Sequence, residues 1–391
     1  MKYDFDTPIN RYGTESLKYS PEERGRPADV LPMWVADMDF RVAPAITSAI
    51  LKRAEHPVYG YTESTAPYAD VLQQWFMRRH NWHIKPDWLV KTFGVVNALH
   101  IAVRAFTEPG DGVLIQRPVY YPFSEATEMQ GRRIVNSPLI LTNGRYEIDF
   151  DDLETKAADA KMLILCNPHN PVGRSWTRDE LMRIAEICKR HNLTVISDEI
   201  HQDFVYPGNT HTVFASLSPE TADFTVTCTS ASKSFNIAGL TTSNIFISDP
   251  KLRRRFQYEY NAMGLSQINA MGLEATRAAY SGGDDWLDEV RAYILNNIHF
   301  AREYLRVNMP ELKLVVPEAT YLLWTDFRAW NVPQDKLDRA LVQEARLWLD
   351  GGTMFGPEGE GFQRFNAACP KSMLADALER VKNIRGRYYS E

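Results

Sequence analysis

The sequence predicts an α/β protein: a mostly parallel sheet covered by helices, with a smaller α+β lobe beside it. Three observations predict it. Between about residues 90 and 250 short apolar runs alternate with segments of helical period, the pattern of strands paired in parallel and covered on both faces. From about Trp286 long helical segments alternate with a few short strands, which reads as a separate lobe. A chain of 391 residues is also long enough for two cores.

In chain order, the first forty or so residues, with "RYGTESLKYS" and "PEERGRPADVLP", read as an extended arm that joins the smaller lobe. Strands are expected at 88–93, 112–116, 162–166, 193–197, 224–228 and 244–248. Amphipathic helices at 97–106 and 178–190 lie between them; in the second, Leu181, Ile184, Ala185 and Cys188 repeat at helical spacing. A helix at 286–307 leads to "KLVVP" and "YLLWTDF", then to helices at 334–345 and 371–388 on either side of "GGTMFGPEGEGFQRFNAACP". The expected division is a large domain of residues 45–285, with 1–44 and 286–391 forming the small one.

A net charge of -6 gives no reason to expect a nucleic-acid surface, and the cluster Arg253 to Arg255 reads as a solvated helix face. The start "MKYDFDTPIN" lacks the apolar core of a signal peptide, and no stretch approaches the roughly 18 apolar residues of a membrane span, so a cytoplasmic address is expected. Cys166, Cys188, Cys228 and Cys369 are too scattered for a disulfide framework and read as reduced thiols; "HNWH" at 80–83 has no second ligand pair, so no metal site is expected.

In sheets of this kind ligands sit beyond the carboxyl ends of the strands. There the sequence places "NPHNPVG", "SDEIH" and "TSASKSFN", bringing Asn170, Asp198 and Lys233 to one edge. After the first strand, "GVVNALH" opens a helix whose free N–H groups suit a phosphate. A desolvated lysine near such a phosphate suggests a Schiff base with pyridoxal phosphate, which needs an acid to keep its ring nitrogen protonated. Asp198 suits that task, Asn170 the ring's 3-oxygen, Ser230 and Ser232 the phosphate, and Tyr120 the ring face. Singly, each has an ordinary reading: surface lysine, helix cap, turn or core. "SASK" also matches the S-x-x-K of serine acyl-transfer enzymes, but neither of their companion triplets, K-T-G and S-D-N, is present.

Together, in this order, these motifs resemble the pyridoxal-phosphate-dependent aminotransferase superfamily of fold type I, over nearly the whole chain. "VADMDF", "YGYT", "SDEIH", "SKSFNIAGL" and "GEGFQRFNAACP" look like its MalY- and PatB-like cystathionine β-lyase subgroup. Two departures from ordinary transaminases point the same way: His201 where aspartate aminotransferases have tyrosine, and Thr241 where a phosphate-binding arginine is expected. The resemblance implies a seven-stranded, mostly parallel sheet, Lys233 as Schiff-base lysine and general base, and Asp198 as ring-nitrogen partner. It also implies Asn170 with His201 beside the 3-oxygen, phosphate contacts from Val95 and Val96, Arg364 on the substrate carboxylate, and Asp37 near the substrate. Tyr61 would reach the neighbouring subunit's cofactor in a homodimer. The implied activity is β-elimination from L-cystathionine and related S-substituted cysteines to a thiol, pyruvate and ammonia. Transamination between an L-amino acid and a 2-oxo acid is the alternative enzyme, and a cofactor-binding regulatory or interaction protein the non-enzymatic one.

Overall fold

The computed structural model describes residues 1–265 and 267–389. Its centre is a seven-stranded sheet in the order Leu89–Thr92, Ser243–Ile247, Thr225–Thr229, Thr194–Asp198, Met162–Cys166, Gly112–Ile115, Arg133–Asn136. Ser243–Ile247 runs antiparallel to both neighbours, and every other pairing is parallel. The central strands are buried along their length, with only Thr194 less than fully covered, so apolar runs rather than alternating patterns announce them. The strand Arg133–Asn136, which the sequence pattern does not predict, pairs with Gly112–Ile115 at the sheet's edge.

Register sets the site. Cys166, Asp198 and Cys228 are aligned across three neighbouring strands, so the carboxylate stands at the carboxyl edge between two thiols. Beside it, Leu89–Thr92 delivers Gly94, whose φ of +94° turns the chain into the helix Val95–Phe106. That helix has no side-chain cap, which leaves its first N–H groups open.

The second lobe carries a four-stranded antiparallel sheet in the order Lys313–Val315, Leu322–Asp326, Phe362–Asn366, Asp350–Gly351. The helices Asp284–Asn308 and Lys371–Tyr388 pack with it. Asp350 and Arg364 are cross-strand partners in this sheet. The arm reaches the lobe as well, where Leu31–Pro32 pairs in parallel with Leu347–Trp348. Gly173 joins the two parts: its carbonyl accepts from Glu318 and Ala319 N–H, and at φ +73° an added Cβ would stand 2.7 Å from Pro317. Among the described residues no helix is long and apolar enough to cross a membrane.

Candidate active site

A cavity of about 250 Å³ opens at the carboxyl edge of the large sheet. Lys233, Asp198, Asn170, His201, Tyr120, Ser230, Ser232, Val95 and Val96 all line it, so residues from five sequence segments converge there.

Lys233 lies on the four-residue helix Ala231–Ser234, which follows the strand Thr225–Thr229. Its Nζ donates to the Ala36 carbonyl at 2.7 Å, and the buried Tyr321 hydroxyl donates to the same oxygen at 2.9 Å. Burial lowers the lysine to about 8; Asp37 and Asp198 pull it up and Arg364 pushes it further down. Asp198 is buried and its Oδ1 accepts from the Ile200 N–H at 3.2 Å. Burial raises this carboxyl to about 7 against that bond and the nearby lysine.

Arg364 is buried and held from three sides. Nη1 donates to Asn170 Oδ1 at 3.0 Å, and Nη2 donates to the Trp34 carbonyl at 3.0 Å and to Asp350. Because Asn170 presents its oxygen to the arginine, its Nδ2 donors have no protein acceptor among the described residues. His201 is buried with Nδ1 unpartnered, and burial holds it well below the usual histidine range, so the ring is neutral. Tyr120 is half-buried, with its hydroxyl pushed up by loss of solvation, and its N–H donates to the Asn170 carbonyl at 3.0 Å.

These groups fit pyridoxal phosphate by their chemistry. An amine, a carboxyl, an amide and an imidazole line one space, with a helix N-terminus at its rim. The two serines differ. Ser230 donates to the Thr242 carbonyl at 2.7 Å and accepts from Ser232 N–H, so its proton is already committed; the Ser232 hydroxyl has no such commitment.

One expectation shifts. Asp37 does not present a free carboxylate to a substrate. Arg11 donates to it at 3.1 Å, Lys18 lies 3.4 Å away, and these cations hold it below the usual range although burial pushes it up. Asp37 therefore anchors the segment that carries the Ala36 carbonyl. Asp39 helps, accepting from Arg11 at 2.7 Å and Lys18 at 2.6 Å, while Asn236 accepts from Met38 N–H at 2.9 Å. Tyr61 is 96% exposed and outside its own chain's cavity.

Sequence reasoning missed the Ala36 carbonyl, the Trp34 carbonyl, Tyr321 and Asp350. The first two act through backbone carbonyls, which leave no mark in residue identity. A lone aspartate before two glycines is equally mute until the strand pairing is known. Near the cavity, "HNWH" resolves into a structural contact: His80 Nε2 meets Asp203 at 2.9 Å, and Asp203 also accepts from Ser234, next to the lysine. All four cysteines are buried and free; Cys166 lines the cavity. Burial pushes every one of these thiols up.

The family model for aminotransferase class I and II matches residues 29–381. Cystathionine beta-lyase PatB of Bacillus subtilis is 45% identical over 97% of this chain and 99% of its own. Cystalysin from Treponema denticola, whose crystal structure contains pyridoxal 5'-phosphate, superposes with a TM-score of 0.96 at 40% identity, covering 100% of both chains. The PLP-bound C-S lyase from Staphylococcus hominis gives a TM-score of 0.92 at 32% identity over 98% of each chain.

Proposed function

Because the chain belongs to the aminotransferase class I and II family, we propose that it uses pyridoxal phosphate to break the carbon–sulfur bond of L-cystathionine and related S-substituted cysteines. One observation carries the reading: the lysine, the carboxyl and the arginine that such chemistry needs stand around one cavity of this chain, in a fold shared with C-S lyases.

Pyridoxal phosphate, when bound, supplies an electrophilic carbon for amines and a ring that takes up electron density from the substrate's α-carbon. Lys233 would hold the cofactor through Nζ, and Asp198 would keep a proton on its ring nitrogen. Asn170 Nδ2 and His201 would meet the 3-oxygen, while Val95, Val96 and Ser232 would offer donors to the phosphate, with Ser230 bracing that loop.

Arg364 would grip the substrate carboxylate in the bidentate manner that lysine cannot reproduce. Lys233 Nζ then takes the α-proton as general base, with the Ala36 carbonyl and Tyr321 at hand to position the amine. The Cβ–S bond breaks and the sulfur leaves as a thiol; with one water, the three-carbon fragment becomes pyruvate and ammonia. From cystathionine the thiol is homocysteine.

We also propose a homodimer in which Tyr61 completes the partner's site. Tyr59 and Tyr61, 62% and 96% exposed, put two aromatic rings in water that a second chain would cover.

Purified holoenzyme given L-cystathionine without any keto acid is expected to release pyruvate. If it releases none, yet transfers its amino group once a keto acid is added, the lyase reading falls and the transaminase stands. A second measurement concerns the lysine. With its amine lowered to about 8, roughly a quarter is neutral at pH 7.5, against about one part in a thousand for an ordinary lysine. The rate at which cofactor-free protein takes up pyridoxal phosphate should therefore climb with pH and level off above about 8, followed by visible absorbance. A rate still rising steeply near pH 10 would show that burial does not tune this amine.

A further inference from the structure

Beside the cavity runs a groove of about 570 Å³ that the chemistry above does not use. Arg364 stands between the two spaces. Arg364 is held from the cavity side by Asn170, and from the groove side by Asp350 and the Trp34 carbonyl. A cysteine thioether whose α-carboxylate lies on Arg364 has one part left to place, the group beyond sulfur, and the groove is the adjoining room.

Four side chains of the groove form a ladder. Trp34 and Trp348 stack at 4.4 Å and 15°; the Arg24 guanidinium lies 5.3 Å from the centre of the Trp34 ring, and that of Arg26 5.6 Å from the Trp348 ring. Both arginines come from the N-terminal arm and are exposed, and neither has an ion-pair partner among the described residues. Arg26 has Asp338 within electrostatic reach, which offsets part of its charge. Arg24 instead acts on Tyr121, a residue that also feels Arg364, which places its charge on the side toward the cavity. A guanidinium held over an indole face has fewer positions to sample, which lowers the entropy lost when an anion binds.

We infer that this groove takes the S-substituent of the substrate and that Arg24 recognises a carboxylate at its far end. Preferred substrates are then cysteine thioethers that end in an acid, rather than plain S-alkyl cysteines. The inference rests on the lyase reading and adds its substrate class.

The test compares S-(2-carboxyethyl)-L-cysteine with its carbamoyl isostere, which differs only in the far charge, and reads pyruvate released by the holoenzyme. The wild-type enzyme should favour the acid by about tenfold or more in kcat/KM, mainly through KM. In Arg24→Gln that preference should fall to within about twofold of none. General damage to the fold would slow both substrates alike and leave their ratio unchanged, so the ratio isolates the contact. Equal use of both substrates by the wild-type enzyme, or a preference that survives Arg24→Gln, would overturn the inference. Pyruvate from neither substrate would overturn the lyase reading instead.

Discussion

Asp198→Asn is expected to lower turnover at least about a hundredfold while making the cofactor-free protein more stable. The first effect follows from the role proposed for the carboxylate: an amide cannot keep a proton on the ring nitrogen, and the electron sink weakens. The second follows from burial. Asp198 has its pKa raised to about 7 in the fold, chiefly by burial, against an ordinary 3.8. The folded chain thus holds this proton more tightly than the unfolded one, and stability is lost as pH rises from about 4 through about 7. A rise of this size corresponds to a loss on the order of 4 kcal/mol, complete above about pH 8. Asparagine carries no charge to bury and escapes it. Thermal unfolding of the two cofactor-free proteins should show the variant melting higher at pH 8, with the gap closing toward pH 4. A variant that melts no higher at pH 8 would mean that Asp198 is not strained in the empty fold.

Lys233→Ala should abolish turnover, by at least about 10⁴-fold, because one side chain is asked both to hold the cofactor and to move the α-proton. The visible absorbance of a lysine-linked cofactor should disappear with it. The proposed dimer gives this loss a second signature. If Tyr61 serves the neighbouring site, Tyr61→Ala chains are impaired through the partner's cavity and Lys233→Ala chains through their own. Hybrids of the two should then contain one site with both defects and one with neither. Mixing the unfolded chains and refolding them with cofactor should restore activity that neither parent has. Absence of any recovery, with hybrid dimers demonstrated by mass, would place Tyr61 outside the neighbour's site.

The large sheet could be read from sequence because its central strands are buried on both faces and are mostly apolar, as in Met162–Cys166. The edge strand Arg133–Asn136 escaped, since two of its positions are arginine and asparagine and its ends reach solvent. Strand ends were legible to about one residue; Asp198 closes its strand rather than following it. In the site, side chains placed after strands announced themselves by type. The contacts that orient them did not. Ala36 and Trp34 work through carbonyls whose positions depend on how the arm folds back, and Asp350 meets Arg364 only through the pairing of two short strands. Asp37 misled for the same reason, because its partners Arg11 and Lys18 lie in a segment without periodicity.

The aligned thiols have a consequence for an enzyme that makes thiols. Disulfide exchange requires a thiolate, and the cavity could have offered one at Cys166. Burial keeps that sulfur and its neighbour Cys228 protonated, with the Asp198 charge between them adding to the effect. Cys166 is further occupied, donating to the Pro168 carbonyl and accepting from Asn170 N–H. Burial, with the Asp198 charge adding to it, thus disfavours the thiolate that exchange at these sulfurs would need.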